Sequence, residues 1–431
     1  MDEIELAYGR EGLKVSLPPE ARPRVIRKRP LPVPSDSAAL IDAALNAPIN
    51  AQPIEGAVSG ATSACILICD ITRPVPNGLF LRKIVDRLMS GGIARDRISI
   101  LVATGLHRPN LGDELAELVG DPWVLQNIRV SNHDARDDAA HVDFGLTSTR
   151  QTPVLLDRTF VEADVKIATG LVEPHFMAGW SGGRKVIAPG VAHHTTIRTF
   201  HSARFMEDPA ASSCNLEGNP LHEEQLEIVR MLGGDILALN TVIDEDRNLV
   251  FASFGEIIDS HQAAVEFVRE ATAIPIERKY KTIVTSAAGY PLDKTYYQTV
   301  KGMVTPIDIL EPGGDLIIVS ECSEGVGSDE FRAAQERLVA LGPDAFLETL
   351  LQKSFADVDE WQTEMQLKPM RVGRIALYAP KLSDADHGVT GVDKVSDLTS
   401  TIAASIARQG DCDIAVIPEG PYLVPLHETS V

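Results

Sequence analysis

The sequence predicts an α/β protein with two α/β domains, each built on a mostly parallel sheet. The chain has 431 residues, which is more than one hydrophobic core usually accommodates. Apolar strands alternate with polar loops and amphipathic helices in both halves, the pattern of layered α/β folds. Residues 273–281 contain Pro275 and then a charged run. We therefore predict an N-terminal domain over residues 1–275 and a C-terminal domain over residues 276–431.

The N-terminal half contains four short apolar runs that predict strands, over residues 64–69, 98–103, 128–131 and 165–169. Between the first two runs, apolar residues recur at helical spacing from Leu79 to Leu88, and glycines follow at 91 and 92. This is a strand–helix–strand unit. Two β-rich runs between residues 236 and 254, followed by a helix near residues 261–270, complete the predicted domain.

The C-terminal half repeats the alternation of strand and helix. Strands are predicted over residues 282–286, 316–320, 374–378 and 413–418, and helices over residues 295–303, 329–341 and 398–408. Strands separated by helices of this length favour parallel pairing, because a parallel neighbour needs a long crossover.

Composition and charge exclude several classes of partner. A formal net charge of −21 repels nucleic acid and anionic membrane surfaces. Five scattered cysteines, an odd number, are typical of reduced thiols rather than of a secreted disulfide framework. Residues 1–18 lack an export signal, and no run of about 18 apolar residues occurs. We expect a cytoplasmic protein that binds neither membranes nor nucleic acid.

Polar residues follow three predicted strands of the N-terminal half. These candidates are Asp70, Ile71, Thr72 and Arg73 after the first strand, His107 after the second and His175 after the fourth. Ligands of open α/β sheets bind at the carboxyl ends of strands, so these side chains are expected near one another. Two histidines there would supply two acid/base groups near neutral pH.

A glycine-rich segment, GWSGGRK over residues 179–185, follows these loops. Its glycines permit close backbone approach to a ligand, and Ser181 with nearby amides is suited to a phosphate. The spacing matches neither a P-loop nor a dinucleotide fingerprint. Lys185 could bind phosphate as a point charge or anchor a group covalently through its amine, and the chemistry alone leaves both roles open.

Three histidines, His193, His194 and His201, lie close together after this lysine. Imidazole is the commonest transition-metal ligand, so a zinc site is one interpretation, although no carboxylate or thiolate partner is evident nearby. The sequence alone assigns His193 and His194 no specific role.

The predicted helix at residues 295–303 places Tyr297, Gln298 and Lys301 on one face. This face is either solvated or part of a binding site. Lys301 together with Arg73 would offer cations from both domains to a carboxylate. We therefore expect the active site in the interdomain cleft.

From about Asp70 to Trp361, the chain resembles the lactate racemase family of nickel-pincer enzymes. The likeness rests on ordered motifs: DITRP, GLHRP, EPHFMAGWSGGRK, a histidine sixteen residues beyond the lysine, and GYPLD followed by YQTVKG.

The resemblance implies a cofactor, pyridinium-3,5-bisthiocarboxylic acid mononucleotide, which is linked to Lys185 and holds nickel with His201 as the metal ligand. It implies His107 and His175 as the acid/base pair. The cofactor-binding residues implied are Asp70, Ile71, Thr72, Arg73, Ser181, Lys185 and Trp361. The substrate-binding residues implied are Arg73, Tyr297, Gln298 and Lys301.

The activity that the resemblance implies is racemisation or epimerisation at C2 of a 2-hydroxy acid, lactate or a larger relative, by hydride transfer to and from the cofactor. The implied partners are the small-molecule substrate and the proteins that build the cofactor and insert nickel. Two alternatives are a zinc-dependent hydrolase using His193, His194 and His201, and a non-catalytic hydroxy-acid-binding homologue that lacks nickel.

Overall fold

The computed structural model describes residues 3–428. Its strands are β1 (Glu3–Leu6), β2 (Leu13–Ser16), β3 (Arg22–Val25), β4 (Ala64–Cys69), β5 (Ile98–Ala103), β6 (Arg129–Asn132), β7 (His141–Leu146), β8 (Pro153–Asp157), β9 (Val165–Leu171), β10 (Pro174–His175), β11 (Gly179–Trp180), β12 (Ile236–Ile243), β13 (Leu249–Glu256), β14 (Ala273–Ile276), β15 (Tyr280–Ser286), β16 (Leu310–Val319), β17 (Arg374–Tyr378), β18 (Asp393–Lys394), β19 (Asp413–Ile417) and β20 (Val424–His427).

The α-helices are α1 (Ser37–Asn46), α2 (Ile54–Ala57), α3 (Leu81–Ser90), α4 (Gly112–Val119), α5 (Pro122–Asn127), α6 (Arg158–Val161), α7 (Arg184–Ile187), α8 (His194–Phe200), α9 (Ala203–Met206), α10 (Pro220–Leu232), α11 (Ile257–Thr272), α12 (Tyr296–Val304), α13 (Asp329–Leu341), α14 (Pro343–Leu351), α15 (Glu360–Val372), α16 (Asp384–Gly388) and α17 (Leu398–Gln409).

The chain forms two compact units that do not follow sequence order strictly. The N-terminal unit comprises Pro30–Phe200 and Asn215–Arg269. The C-terminal unit comprises the described chain up to Arg29, the segment His201–Cys214, and the described chain from Glu270 onward. The predicted change of domain near residue 275 thus falls close to Glu270, but two earlier segments also belong to the C-terminal unit.

Specific contacts explain why these two segments join the C-terminal unit. Strand β3 pairs in parallel with β19, which extends the C-terminal sheet. Within the segment His201–Cys214, Glu207 forms an ion pair with Arg371, and the carbonyl oxygen of Ala211 accepts a hydrogen bond from Lys368 Nζ. The sequence predicted two continuous domains, with His201 in the N-terminal one. In the structure the division is not continuous, and His201 belongs to the C-terminal unit.

The main sheet of the N-terminal unit has the strand order β13-β12-β9-β4-β5-β6. All of its neighbours pair in parallel except β12 and β13, which form an antiparallel pair. The predicted bounds of β4 and β5 are confirmed, and β9 extends two residues further, to Leu171. Both β4 and β5 are nearly continuous apolar runs, as expected of strands covered on both faces.

The strand order reverses between β4 and β9. From β4 the chain continues through β5 to β6 on one side, and then returns to place β9 on the other side of β4. The chain therefore leaves β4 and β9 in opposite directions, and ligands of open α/β sheets usually bind at the carboxyl ends of strands at such a reversal.

Substituting Leu67 with alanine is expected to lower the free energy of unfolding by about 2–5 kcal/mol, because a large buried side chain is lost from a packed core. Leu67 lies in β4 with 0% of its surface exposed. Urea unfolding followed by tryptophan fluorescence, to which Trp180, buried in the same unit, contributes, would measure the change. Leu111→Ala is the matched control because Leu111 is 65% exposed. Equal destabilisation by both variants would contradict the described core.

The C-terminal unit is built on a six-stranded sheet in the order β18-β17-β16-β15-β19-β3. Every neighbouring pair is parallel. The predicted bounds of β17 and α13 are confirmed, while β16 begins earlier than predicted, at Leu310. The prediction of an α/β fold with mostly parallel sheets is therefore confirmed. Within residues 3–428, no helix has both the length and the hydropathy needed to cross a membrane.

Candidate active site

His107, which follows β5, is held by the carboxylate of Asp70, which follows β4. The distance from His107 Nδ1 to Asp70 Oδ2 is 2.6 Å. Because a carboxylate only accepts, Nδ1 carries the proton in the neutral ring and Nε2 keeps its lone pair. The side chain of His107 is 57% exposed, so this ring can reach a ligand.

Asp70 is fixed by its own loop. The Thr72 hydroxyl donates to Asp70 Oδ1 at 2.5 Å, and the Thr72 amide donates to the same oxygen at 3.1 Å. Burial raises the pKa of Asp70, but the hydrogen bond and charge of His107, together with the Thr72 bonds, outweigh it and leave the pKa below its usual value. Asp70 was predicted as a cofactor-binding residue, and in the structure its carboxylate orients an imidazole.

The other two residues of this loop have different contacts. The Ile71 amide donates to Asn110 Oδ1 at 3.3 Å. The guanidinium of Arg73 forms an ion pair with Glu173, so one ion pair joins the loops that follow β4 and β9. A substrate carboxylate would therefore have to exchange with Glu173 to bind Arg73.

His175 has the opposite arrangement to His107. It lies in the two-stranded ribbon of β10 and β11 and is buried. Its Nδ1 accepts hydrogen bonds from the amides of Met177 at 3.3 Å and Ala178 at 3.2 Å. The proton of the neutral ring therefore lies on Nε2. The two predicted acid/base histidines thus have complementary neutral tautomers, with the ring proton on Nδ1 of His107 and on Nε2 of His175.

Lys185 lies in the short helix α7, which packs against β4 and β9. Burial raises the pKa of the Cys69 thiol to about 11, while the positive charges of Arg73 and Lys185 oppose this increase. The amine of Lys185 is therefore within electrostatic range of the carboxyl end of β4. Its half-buried position suits either of the roles predicted for it.

The glycine-rich segment packs closely against its own chain. Gly183 has a φ of +50°, and a Cβ there would lie 2.8 Å from the ring of His261. The Ser181 hydroxyl donates to the carbonyl of Leu171 at 2.7 Å and accepts from the amide of Glu173 at 3.0 Å. Ser181, predicted to hold a phosphate, thus ties together the loop that follows β9.

The residue next to the lysine, Arg184, is buried beneath this segment. Its Nη2 donates to the carbonyl of Ala178 at 3.0 Å, and its Nη1 lies 2.9 Å from His261 Nε2. Burial lowers the pKa of Arg184 to about 9. Because Ala178 also supplies an amide to His175, Arg184 connects the lysine segment to the second histidine.

The C-terminal unit brings together three of the predicted residues. The ring centroids of His201 and Trp361 are 4.9 Å apart. Tyr297 forms side-chain hydrogen bonds with Trp361 and with Asp359. Burial raises the pKa of Tyr297 well above its usual value, and the charge of Asp359 adds to the increase. Tyr297, predicted to bind substrate, thus positions the aromatic neighbour of His201.

Gln298 and Lys301 lie on α12 with Tyr297, as predicted. The helix begins after Thr295, whose hydroxyl oxygen accepts from the Gln298 amide at 3.4 Å. Gln298 Oε1 is buried without a hydrogen-bond partner among the described residues. A buried acceptor of this kind is available to a ligand donor.

The proposed three-histidine zinc site has a different composition in the structure. The ligand atoms of His193 and His194 group with Asp138, all within 4.8 Å of one another, and His201 is not part of this group. The interpretation based on His193, His194 and His201 is therefore wrong in its third member. Asp138 precedes His193 by 55 residues, so spacing along the chain gave no indication of it.

Comparison with known proteins assigns the family. Residues 8–213 match the model of the lactate racemase N-terminal domain, and residues 277–424 match that of the lactate racemase C-terminal domain. The lactate racemase of Thermoanaerobacterium thermosaccharolyticum is 32% identical over 431 residues, covering 98% of this chain and 99% of the relative. That of Lactiplantibacillus plantarum is 30% identical over 387 residues, covering 88% and 89%.

Solved structures agree with this assignment. The lactate racemase apoprotein from Thermoanaerobacterium thermosaccharolyticum aligns with a TM-score of 0.90 at 27% identity, over 98% of this chain and 100% of that one. A protein from Thermotoga maritima shares the fold at a TM-score of 0.60 and 15% identity, over 88% of this chain and 99% of that one. The chain belongs to the lactate racemase family.

Proposed function

We propose that this protein is a racemase or epimerase that inverts C2 of lactate or of a larger 2-hydroxy acid. The observation that carries the proposal is the complementary state of the two histidines beside the strand-order reversal. His107 is oriented by a carboxylate and His175 by two backbone amides. Inversion requires proton exchange on opposite faces of the substrate, and two such rings could provide it.

The residues present fit a nickel-pincer pyridinium nucleotide as cofactor. Lys185 offers a primary amine for its covalent attachment, and His201 offers an imidazole beside the ring of Trp361. Soft sulfur donors from such a cofactor, together with one imidazole, would suit Ni²⁺. When bound, this group would accept the C2 hydride and return it.

The protein's own groups would handle the proton and the carboxylate. For one enantiomer, His107 Nε2 takes the hydroxyl proton, and Asp70 stabilises the resulting imidazolium. In the same direction His175 would start as the imidazolium, supply the proton that restores the hydroxyl on the opposite face and end as the neutral ring. The other enantiomer would use the two rings in reverse order. Arg73 and Lys301 are proposed to bind the carboxylate, which needs local cations in a chain of net charge −21. Gln298 is proposed to contact the substrate as well, because its unpartnered Oε1 can accept from a substrate donor.

The proposal is tested by expressing the chain together with proteins that build the cofactor and insert nickel, its proposed partners in the cytoplasm. We expect a mass adduct on Lys185, one nickel per chain, and inversion of at least one acid in a panel of single-enantiomer 2-hydroxy acids, followed by chiral chromatography. A protein that carries adduct and nickel but inverts no acid of the panel would contradict the proposal. Zinc without an adduct would instead support a hydrolase.

Changing Asp70 to asparagine is expected to lower kcat by roughly 10–10³-fold with little change in KM. An amide can donate to Nδ1 and so favour the wrong tautomer of His107, as in hydrolase triads. Initial rates on the substrate found above would measure the effect. Asp113→Asn, an exposed acid of the same unit, is the control. An unchanged kcat in Asp70→Asn would show that this carboxylate does not act through His107.

A further inference from the structure

We propose that Asp138, His193 and His194 form a second metal site, which binds a divalent transition ion such as Zn²⁺. None of these residues has a role in the proposed reaction. The site is therefore additional to the nickel ligand proposed at His201.

The three side chains already have nearly the spacing that such an ion requires. Their ligand atoms all lie within 4.8 Å of one another, and His193 Nε2 is 2.9 Å from Asp138 Oδ1. Zinc bonds of 2.0–2.2 Å in a tetrahedral site place donor atoms about 3.3–3.6 Å apart. Small side-chain rotations would therefore bring all three donors onto one ion.

The backbone around both histidines is fixed by hydrogen bonds. The His193 amide donates to the Leu155 carbonyl at 3.0 Å, and the His194 amide donates to the Ala135 carbonyl at 2.8 Å. The ring centroids of the two histidines are 4.1 Å apart. The two imidazoles are thus held beside each other by the fold, which reduces the entropy lost when a metal binds.

A second observation also indicates a ligand at this place. The ring centroid of a third imidazole, that of His141, lies 4.8 Å from that of His193. Its Nδ1 donates to the Asp137 carbonyl at 2.7 Å, which leaves the lone pair on Nε2. That nitrogen is buried and has no hydrogen-bond partner among the described residues. A metal-bound water would satisfy it.

Coordination requires one change of tautomer at His193. Binding at His193 Nε2 would move the ring proton to Nδ1, which would give up a weak 3.3 Å contact with the Thr195 amide.

Charge and exposure define the kind of site. The positive charges of Arg136 and Arg198 disfavour another positive charge near His194. The affinity for a metal ion must therefore come from bonds to its ligands rather than from the net negative charge of the chain. The side chain of Asp138 is 89% exposed and that of His193 is 6% exposed. One side of the ion would therefore face solvent and keep a water ligand, as in zinc sites with three protein ligands.

The test uses the full chain expressed without the cofactor-building proteins and freed of metal by a chelator. Titration with Zn²⁺ alone, followed calorimetrically, should give one ion per chain and raise Tm. Asp138→Asn and His194→Gln should each weaken Zn²⁺ binding by about 100-fold or more. Asp134→Asn, the same charge change in the same loop, should bind as the unmodified chain does. The variant His201→Ala should also bind Zn²⁺ as the unmodified chain does.

Two results would overturn the proposal. One is the absence of stoichiometric Zn²⁺ binding by the unmodified chain. The other is binding that is lost in His201→Ala but retained in Asp138→Asn, which would place the ion at the proposed nickel ligand. Circular dichroism of each variant checks the fold, and Asp138→Asn keeps the test decisive because that side chain is exposed. Neither result depends on racemisation.

Discussion

Replacing Lys185 with alanine is expected to reduce inversion of the substrate by at least about 10⁴-fold, to the limit of detection, in protein matured with the cofactor-building proteins. The amine is the proposed point of attachment, and without it the hydride acceptor is neither retained nor oriented. Intact mass, nickel content and chiral initial rates would be measured on the same preparation. All three should fall together.

Two control variants make this result specific. Lys185→Arg keeps the positive charge but replaces the primary amine, so it should lose the adduct just as the alanine variant does. Lys166→Ala removes a lysine of the same unit, whose amine donates to the Ala163 carbonyl, and should keep adduct, nickel and activity. A full adduct on Lys185→Ala would refute attachment at this residue, and normal rates without an adduct would refute the need for it.

Alanine in place of His107, or in place of His175, should lower turnover by roughly 10²–10⁴-fold without loss of nickel. Each ring serves one face of the substrate, so neither can substitute for the other. The interconversion of enantiomers has an equilibrium constant of one. In each variant kcat/KM must therefore fall by the same factor from both enantiomers, which provides an internal check on the rates.

The double variant should be little worse than the slower single variant, because residues that act as a unit are not additive. His427→Ala removes a half-buried imidazole of the C-terminal unit and should leave the rates unchanged. His175→Gln keeps a polar side chain at a buried position, so it should fold even if His175→Ala does not. Lost activity in a folded His175→Gln variant would then reflect loss of the imidazole. Near-normal rates in both single alanine variants would rule out the two-histidine assignment.

Much of the fold was predictable because its strands are short, apolar and locally bounded. The bounds of β4, β5 and β17 matched those expected from the sequence. It was harder to predict from the sequence which residues belong to each of the two units. Strand β3 has the sequence RPRV, which contains no apolar run that would predict a strand, and none of its four residues is fully buried. Its place in a sheet depends on β19, nearly four hundred residues later in the chain.

The candidate site shows the same difference between local and distant information. The positions of His107 beyond β5 and of His175 beyond β9 could be predicted from the sequence. The contacts that fix their ring protons could not, since Asp70 lies 37 residues before His107. Glu173 had no predicted role until its ion pair with Arg73 was seen. Partners far apart in sequence become visible only once the sheet aligns the loops that carry them.

The pairing of β3 with β19 has a consequence for how the protein is made. Residues 22–25 leave the ribosome long before their parallel partner, residues 413–417, is translated. The whole N-terminal unit lies between them in sequence and can fold while synthesis continues. Strand β3 remains unpaired until β19 has been made, and contacts between residues so far apart in sequence form slowly. A nascent chain stalled before Asp413 would therefore contain a folded unit that carries Lys185 and a second sheet that is still incomplete.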